Sequence, residues 1–223
     1  MRALIDLSGP SFGPVRGGKP RELVILLHGY GADGNDLLGL APHWARLLPD
    51  TQFVAPHAPF PCEAAPFGRQ WFGFEDRDEN MILAETQTAA AILDAYLDSE
   101  LARHGLSEER LALVGFSQGT MMALHVAPRR PRAVAAVVGY SGALVAPQLL
   151  PAEIKSRPSV LLVHGNADPV VPYASMAAAG AALQAVGIEV AGETRPGLAH
   201  AIDEEGLARG GAFLAAAFVP TTT

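Results

Sequence analysis

Leu111-Ala112-Leu113-Val114-Gly115-Phe116-Ser117-Gln118-Gly119-Thr120-Met121-Met122-Ala123-Leu124 is the stretch on which the fold turns. Its first four residues are all apolar, which suits a strand buried on both faces. From Gln118 the residues favour helix, which is expected to run to about Val126 and to stop before Pro128. Between strand and helix, Gly115, Ser117 and Gly119 spell G-x-S-x-G. A tight strand-to-helix turn of this kind raises the serine hydroxyl above the sheet, and the flanking glycines let strand and helix approach without collision. The helix N-terminus turns unpaired N–H groups and the positive end of its dipole toward that hydroxyl. The stretch has neither G-x-G-x-x-G nor the Gly-Lys-Ser/Thr of a phosphate loop, so a nucleotide-binding turn fits it poorly.

The same punctuation recurs on both sides. Leu23-Val24-Ile25-Leu26-Leu27 stops at His28-Gly29-Tyr30-Gly31, residues 133–138 stop at Gly139, and residues 160–163 stop at His164-Gly165. Helical patterns separate these runs: a segment capped by Asn35 or Asp36 and reaching about Leu48, then residues 80–104 ending at Gly105, 174–186 ending at Gly187, and 203–218. A last strand is expected over 188–194. The alternation predicts an α/β protein with a doubly wound, mostly parallel sheet flanked by helices, forming one domain over residues 1–223 with no large cap domain. Residues 56–79 are the exception, a Pro-rich loop carrying Phe60, Phe67, Trp71, Phe72 and Phe74. Long connections without periodicity are often functional. Trp71 and Phe72 are the candidates to line a substrate pocket there, with a core role beneath the loop equally open. The Thr221-Thr222-Thr223 tail is expected to fray.

Composition narrows the classes. The 223 residues are 49% apolar and 17% charged with a formal net charge of -7, a globular balance that disfavours nucleic acid as a partner. The one cysteine, Cys62, cannot form an intramolecular disulfide, has no base beside it in sequence, and fits a reducing compartment. Met1-Arg2-Ala3-Leu4-Ile5-Asp6 is not a secretory signal, and no apolar run approaches the ~18 residues of a membrane span. A cytoplasmic protein without stable membrane insertion is expected.

A serine hydroxyl needs a base, and the base needs orienting. On a strand–turn–helix nucleophile the partners follow in the order Ser, Asp or Glu, His. Asp168 stands just beyond the strand at 160–163, where the carboxyl ends of parallel strands gather functional groups. Of seven histidines only His200 follows it. His28 and His164 lie at strand ends, His57 in the long loop, and His43, His104 and His125 on helices; no H-x-x-x-H or Cys/His cluster occurs, so no metal is expected. The donors to a developing oxyanion are expected to be the backbone N–H groups of Gln118 and Tyr30.

Taken together, Leu27-His28-Gly29-Tyr30-Gly31-Ala32-Asp33-Gly34, Trp71-Phe72, the Ser117 turn, Tyr140-Ser141-Gly142-Ala143-Leu144, His164 to Pro172, and Gly197-Leu198-Ala199-His200 with Glu204-Glu205 resemble the phospholipase/carboxylesterase family of the α/β-hydrolase fold. The resemblance implies a hydrolase needing no cofactor and acting on carboxylic esters or, in some members, thioesters and lysophospholipids. Ser117, Asp168 and His200 then form the triad, with Tyr30 and Gln118 as oxyanion donors. Two positions depart from the family pattern: Gly73, where an acid commonly follows the Trp-aromatic pair, and Ala199, where glycine commonly precedes the histidine. The expected activity is that of a serine carboxylesterase on small-molecule esters. The alternatives are an acyl-protein thioesterase or lysophospholipase preferring long acyl chains, and a catalytically inactive binding protein of the same fold. A homodimer is left open.

Overall fold

The computed structural model describes residues 6–74 and 78–219. The expectations for residues 1–5 and for the Thr221-Thr222-Thr223 tail lie outside the described residues, as do residues 75–77 of the long loop. In chain order the elements begin with β1 (Ser11–Phe12), β2 (Glu22–Leu27), α1 (Gly34–Leu38), α2 (Ala41–Trp44) and β3 (Thr51–Val54). Next come β4 (Phe60–Pro61), β5 (Arg69–Gln70), α3 (Glu79–His104), β6 (Leu111–Phe116), α4 (Gln118–Val126) and β7 (Ala136–Tyr140). The chain continues through α5 (Leu150–Glu153), β8 (Ser159–Gly165), α6 (Ala174–Ala185), β9 (Val190–Arg195) and α7 (Glu204–Phe218).

The main sheet has the order β1-β3-β2-β6-β7-β8-β9, parallel throughout except for β1. Alternate residues explain why its strands read as unbroken apolar runs. Leu23, Ile25 and Leu27 of β2 pack on one face with Leu93 and Leu97 of α3 and Met122 of α4. Val24 and Leu26 pack on the other with Trp44 of α2 and with Leu214 and Phe218 of α7. Each fully buried Leu, Ile or Val adds roughly 1.5–3 kcal/mol, so the two helical layers are what make a strand without polar positions stable. This is the α/β-hydrolase fold, with no large cap among the described residues.

Several boundaries differ from the sequence reading. The helix expected over 35–48 is capped by Asp33, whose carboxylate accepts from the N–H groups of Asn35 at 2.8 Å and Asp36 at 3.4 Å. It ends at Leu38, and α2 restarts with Pro42 in its first turn, where a missing N–H costs nothing. β6 and β7 run past Gly115 and Gly139 because those glycines stay in register with paired neighbours. The last strand begins at Val190 and ends at Arg195. β1, β3 and the two-stranded β4–β5 ribbon inside the long loop are additions. α3 begins at Glu79, one residue before the expected start and just after its cap Asp78, and ends as read, on Gly105 at φ 67°.

Candidate active site

Ser117 joins β6 to α4 with φ 53° and ψ -116°. A left-handed φ on a residue with a side chain costs about 1–3 kcal/mol and persists only where its surroundings over-determine it. Here they do. The Ser117 N–H donates to the Tyr140 carbonyl at 2.9 Å, and Thr120 Oγ1 lies 2.8 Å from the carbonyl oxygens of both Gly115 and Tyr140, which share its one hydrogen. A Cβ on Gly119 would lie 1.8 Å from the Leu27 carbonyl oxygen, so only glycine lets α4 seat this closely on the end of β2.

The turn after β2 runs directly beside the serine: a Cβ on Gly29 would lie 3.4 Å from that of Ser117. His28 locks this turn. Its Nδ1–H donates to the Gly29 carbonyl at 2.8 Å and its Nε2 accepts from the Ala58 N–H at 2.9 Å, which requires the neutral ring. Burial lowers the His28 pKa in the same direction. Gln118 spends its side chain on the long loop, with Oε1 accepting from the Trp71 N–H at 2.8 Å and Nε2 donating to the Phe72 carbonyl at 2.7 Å. Its own N–H lies in the first turn of α4, where no intrahelical carbonyl can reach it.

Trp71 and Phe72 are not pocket walls. Both side chains are fully buried in the core, and the Trp71 indole donates to the His28 carbonyl at 3.1 Å. A ring without exposed surface offers nothing to a ligand; Trp71 braces the His28 turn, and Phe72 belongs to the core. Phe74 is an exposed aromatic of the same loop, 40% accessible, its ring 5.4 Å from Tyr30 and 5.2 Å from Phe72. In place of an acid at position 73, Glu85 accepts from the Gly73 N–H and Glu63 from the Phe74 N–H, each at 2.7 Å.

Across the sheet, His200 Nδ1 lies 2.7 Å from Asp168 Oδ2. Asp168 Oδ1 also accepts from the N–H groups of Val170 at 2.8 Å and Val171 at 2.9 Å. Burial pushes the Asp168 carboxyl up, but the bonds from His200 and from these two N–H groups outweigh it and hold the pKa below the usual carboxylate range. The ring of Phe116, next to the serine, is 4.8 Å from the His200 ring. The structure thus gathers Ser117, Asp168 and His200 at one end of the sheet, with the Tyr30 turn beside them. Among the described residues, no three His, Cys, Asp or Glu side chains form a metal-binding group.

Two supporting residues, and one residue with a strained backbone, escaped the sequence reading. His164 Nε2 donates to the Val171 carbonyl at 3.0 Å and sits 3.3 Å from Asp168 Oδ2, steadying the carboxylate. Arg195 Nε reaches both Asp203 oxygens at 3.1 and 3.0 Å, and its guanidinium also meets Glu205 and Glu193, closing the base of the 196–202 loop that carries His200. Ser141, at the end of β7, has φ 48°. The strand-end positions of His164 and Ser141 were visible in the sequence, but their partners are brought in by other strands.

Known proteins agree with this architecture. The sequence profile described as phospholipase/carboxylesterase matches residues 15–217. The chain belongs to the phospholipase/carboxylesterase family. Within that family it is similar to the crystal structure of esterase PE8, at 44% identity and a TM-score of 0.90, covering 94% of this chain and 98% of that one. It is 30% identical over 191 residues to esterase YpfH of Escherichia coli (strain K12), covering 84% of this chain and 79% of the relative. It is 27% identical over 207 residues to acyl-protein thioesterase 1 of Gibberella zeae, covering 86% and 88%. Among the described residues no helix of this family member is long and apolar enough to cross a membrane.

Proposed function

We propose that the protein is a serine carboxylesterase that hydrolyses carboxylic esters through an acyl-enzyme on Ser117. The observation that carries this reading is the 2.7 Å bond from His200 Nδ1 to the buried Asp168 carboxylate, at the sheet end where the strained Ser117 turn stands. With Nδ1–H held by Asp168, His200 Nε2 is the base that takes the Ser117 proton as Oγ attacks the ester carbonyl. The N–H groups of Tyr30 and Gln118 bind the oxyanion, and the imidazolium protonates the leaving alcohol. Water then repeats the sequence on the acyl-enzyme. The chain acts as one catalytic domain on a small-molecule ester, and the reaction needs no cofactor. Ser117→Ala is expected to lower kcat on p-nitrophenyl acetate by about 10⁴-fold or more. A variant as fast as the parent at equal purity would end this reading.

A second reading, a thioesterase or lysophospholipase for long acyl chains, draws on exposed Phe74 and on Phe67, 97% accessible at the tip of the β4–β5 ribbon. In either case Phe74, packed on Tyr30, is the aromatic surface we assign to the substrate. Rates on acetyl, octanoyl and palmitoyl esters and thioesters separate the two. A steep rise with chain length favours the second. An inactive binding protein would leave a fluorophosphonate probe unreacted.

A further inference from the structure

β7 ends in a second turn built like that of the nucleophile. Phe116 pairs with Tyr140 and Tyr140 with Val163, so Ser117, Ser141 and His164 stand abreast at the ends of β6, β7 and β8. Ser117 has φ 53° and Ser141 φ 48°. The Ser117 N–H donates to the Tyr140 carbonyl and the Ser141 N–H to the Val163 carbonyl, both at 2.9 Å. The two differ in what their hydroxyls meet. Ser117 is partly exposed, whereas Ser141 is 1% accessible and its Oγ is buried with no hydrogen-bond partner.

Ser141 therefore carries two costs at once, a backbone conformation that glycine would adopt freely and a polar atom left unsatisfied. Its place in the sheet suggests what offsets them. His200 is bonded to Asp168, beyond the end of β8, while its ring rests against Phe116 of β6. His200 thus has its bonded partner beyond the end of β8 and its ring contact on β6, and β7, which Ser141 directly follows, lies between those two strands.

We propose that Ser141 is a positioning residue for His200, with a hydroxyl that gains its partner only when the imidazole is protonated. The proposal rests on the hydrolase reading above. Before the proton transfer the hydroxyl is orphaned. When the proton passes from Ser117 Oγ to His200 Nε2, a cation appears in a site of low dielectric, and the freely rotating hydroxyl turns its oxygen toward it. No bond to Ser141 forms or breaks. An interaction absent from the ground state and present in the charged state lowers the barrier without tightening substrate binding.

The experiment compares Ser141→Ala, which removes the hydroxyl, with Ser141→Gly, which also relieves the backbone, and runs Ser117→Ala beside them. Both Ser141 variants are expected to keep or raise the melting temperature while kcat on p-nitrophenyl acetate falls about tenfold, the size of one net hydrogen bond, with KM within about twofold. Fluorophosphonate labelling of Ser117 should slow in parallel. Parental kcat in both variants, a change confined to KM, or a lowered melting temperature in both would overturn the proposal, the last by making Ser141 structural. If Ser117→Ala is dead while the Ser141 variants are unaffected, only this proposal falls. If Ser117→Ala stays active, or the parent hydrolyses no ester, the hydrolase reading fails and this one with it.

Discussion

The two ends of the candidate site are held by different forces. At the nucleophile end, Ser117 is fixed by close backbone packing, with Gly119 against Leu27 and the serine N–H in the β6–β7 ladder. At the base end, His200 rides on a loop fastened by polar groups: Asn166 Oδ1 accepting from the Gly197 N–H at 2.7 Å, Asp168, and the Arg195 cluster. Gly165 adds a steric element there, since a Cβ on it would lie 2.2 Å from the Leu198 carbonyl. Packing is short-ranged and indifferent to salt, whereas charged pairs near the surface are screened. The nucleophile end should therefore answer to volume, and the base end to charge.

The largest test of that contrast is Asp168→Asn, which keeps the shape and removes the charge. It should cost about 10³- to 10⁴-fold in kcat with little change in melting temperature; a loss mainly of stability would mean that the base end is held by packing after all. Gly119→Ala attacks the opposite end by volume alone. Forcing the helix off Leu27 should destabilise the fold by about 3 kcal/mol in urea denaturation and, by displacing Ser117, slow turnover roughly 10²-fold.

The third test probes an exception on α4. Burial and the nearby Arg129 push the buried His125 down to about 4, against the pull of Glu153. Its folded pKa lies below the ordinary 6.5, so between those two values the unfolded chain binds the extra proton. Stability is full above pH 6.5 and falls through that window toward pH 4, by about 3 kcal/mol for this one group. A denaturation series across pH should show the slope, and His125→Gln should flatten it. A flat parent profile would mean that the ring is not held neutral. The smallest effect belongs to Arg195→Met, which should lower kcat about tenfold or less by loosening the His200 loop. Added salt to about 1 M should slow the parent and leave the variant nearly unchanged. Equal salt responses would show that the Arg195 cluster does not position His200.

Much of this was legible beforehand because it is local or topological. The Ser117 turn is a five-residue pattern with a strand before it and a helix after it. Asp168 and His200 follow from chain order. α3, α4 and α7 were read within a residue or so because caps and periodicity are properties of neighbouring residues. β3, only Thr51-Gln52-Phe53-Val54, was missed because four residues carry no period and its strand character comes from pairing with β2. Trp71 and Phe72, for which a pocket role and a core role stood equally open, could not be placed for a related reason. An aromatic in a Pro-rich loop reads the same whether it faces a ligand or the core, and only the complete burial of both rings and the bond from the Trp71 indole to His28 decide that they face inward.

The sequence by itself determined the alternation of the main strands and helices, the turn at Ser117, and which acid and which histidine are the candidates to serve it. These rest on spacing along the chain and on the conformations glycine permits. The tertiary structure alone decided that Phe74 rather than Trp71 is exposed beside Tyr30, that His164 and Arg195 steady the acid and the base, and that Ser141 repeats the strained turn of Ser117. Each of these depends on atoms far apart in sequence meeting at a few ångströms, and no local pattern encodes that distance.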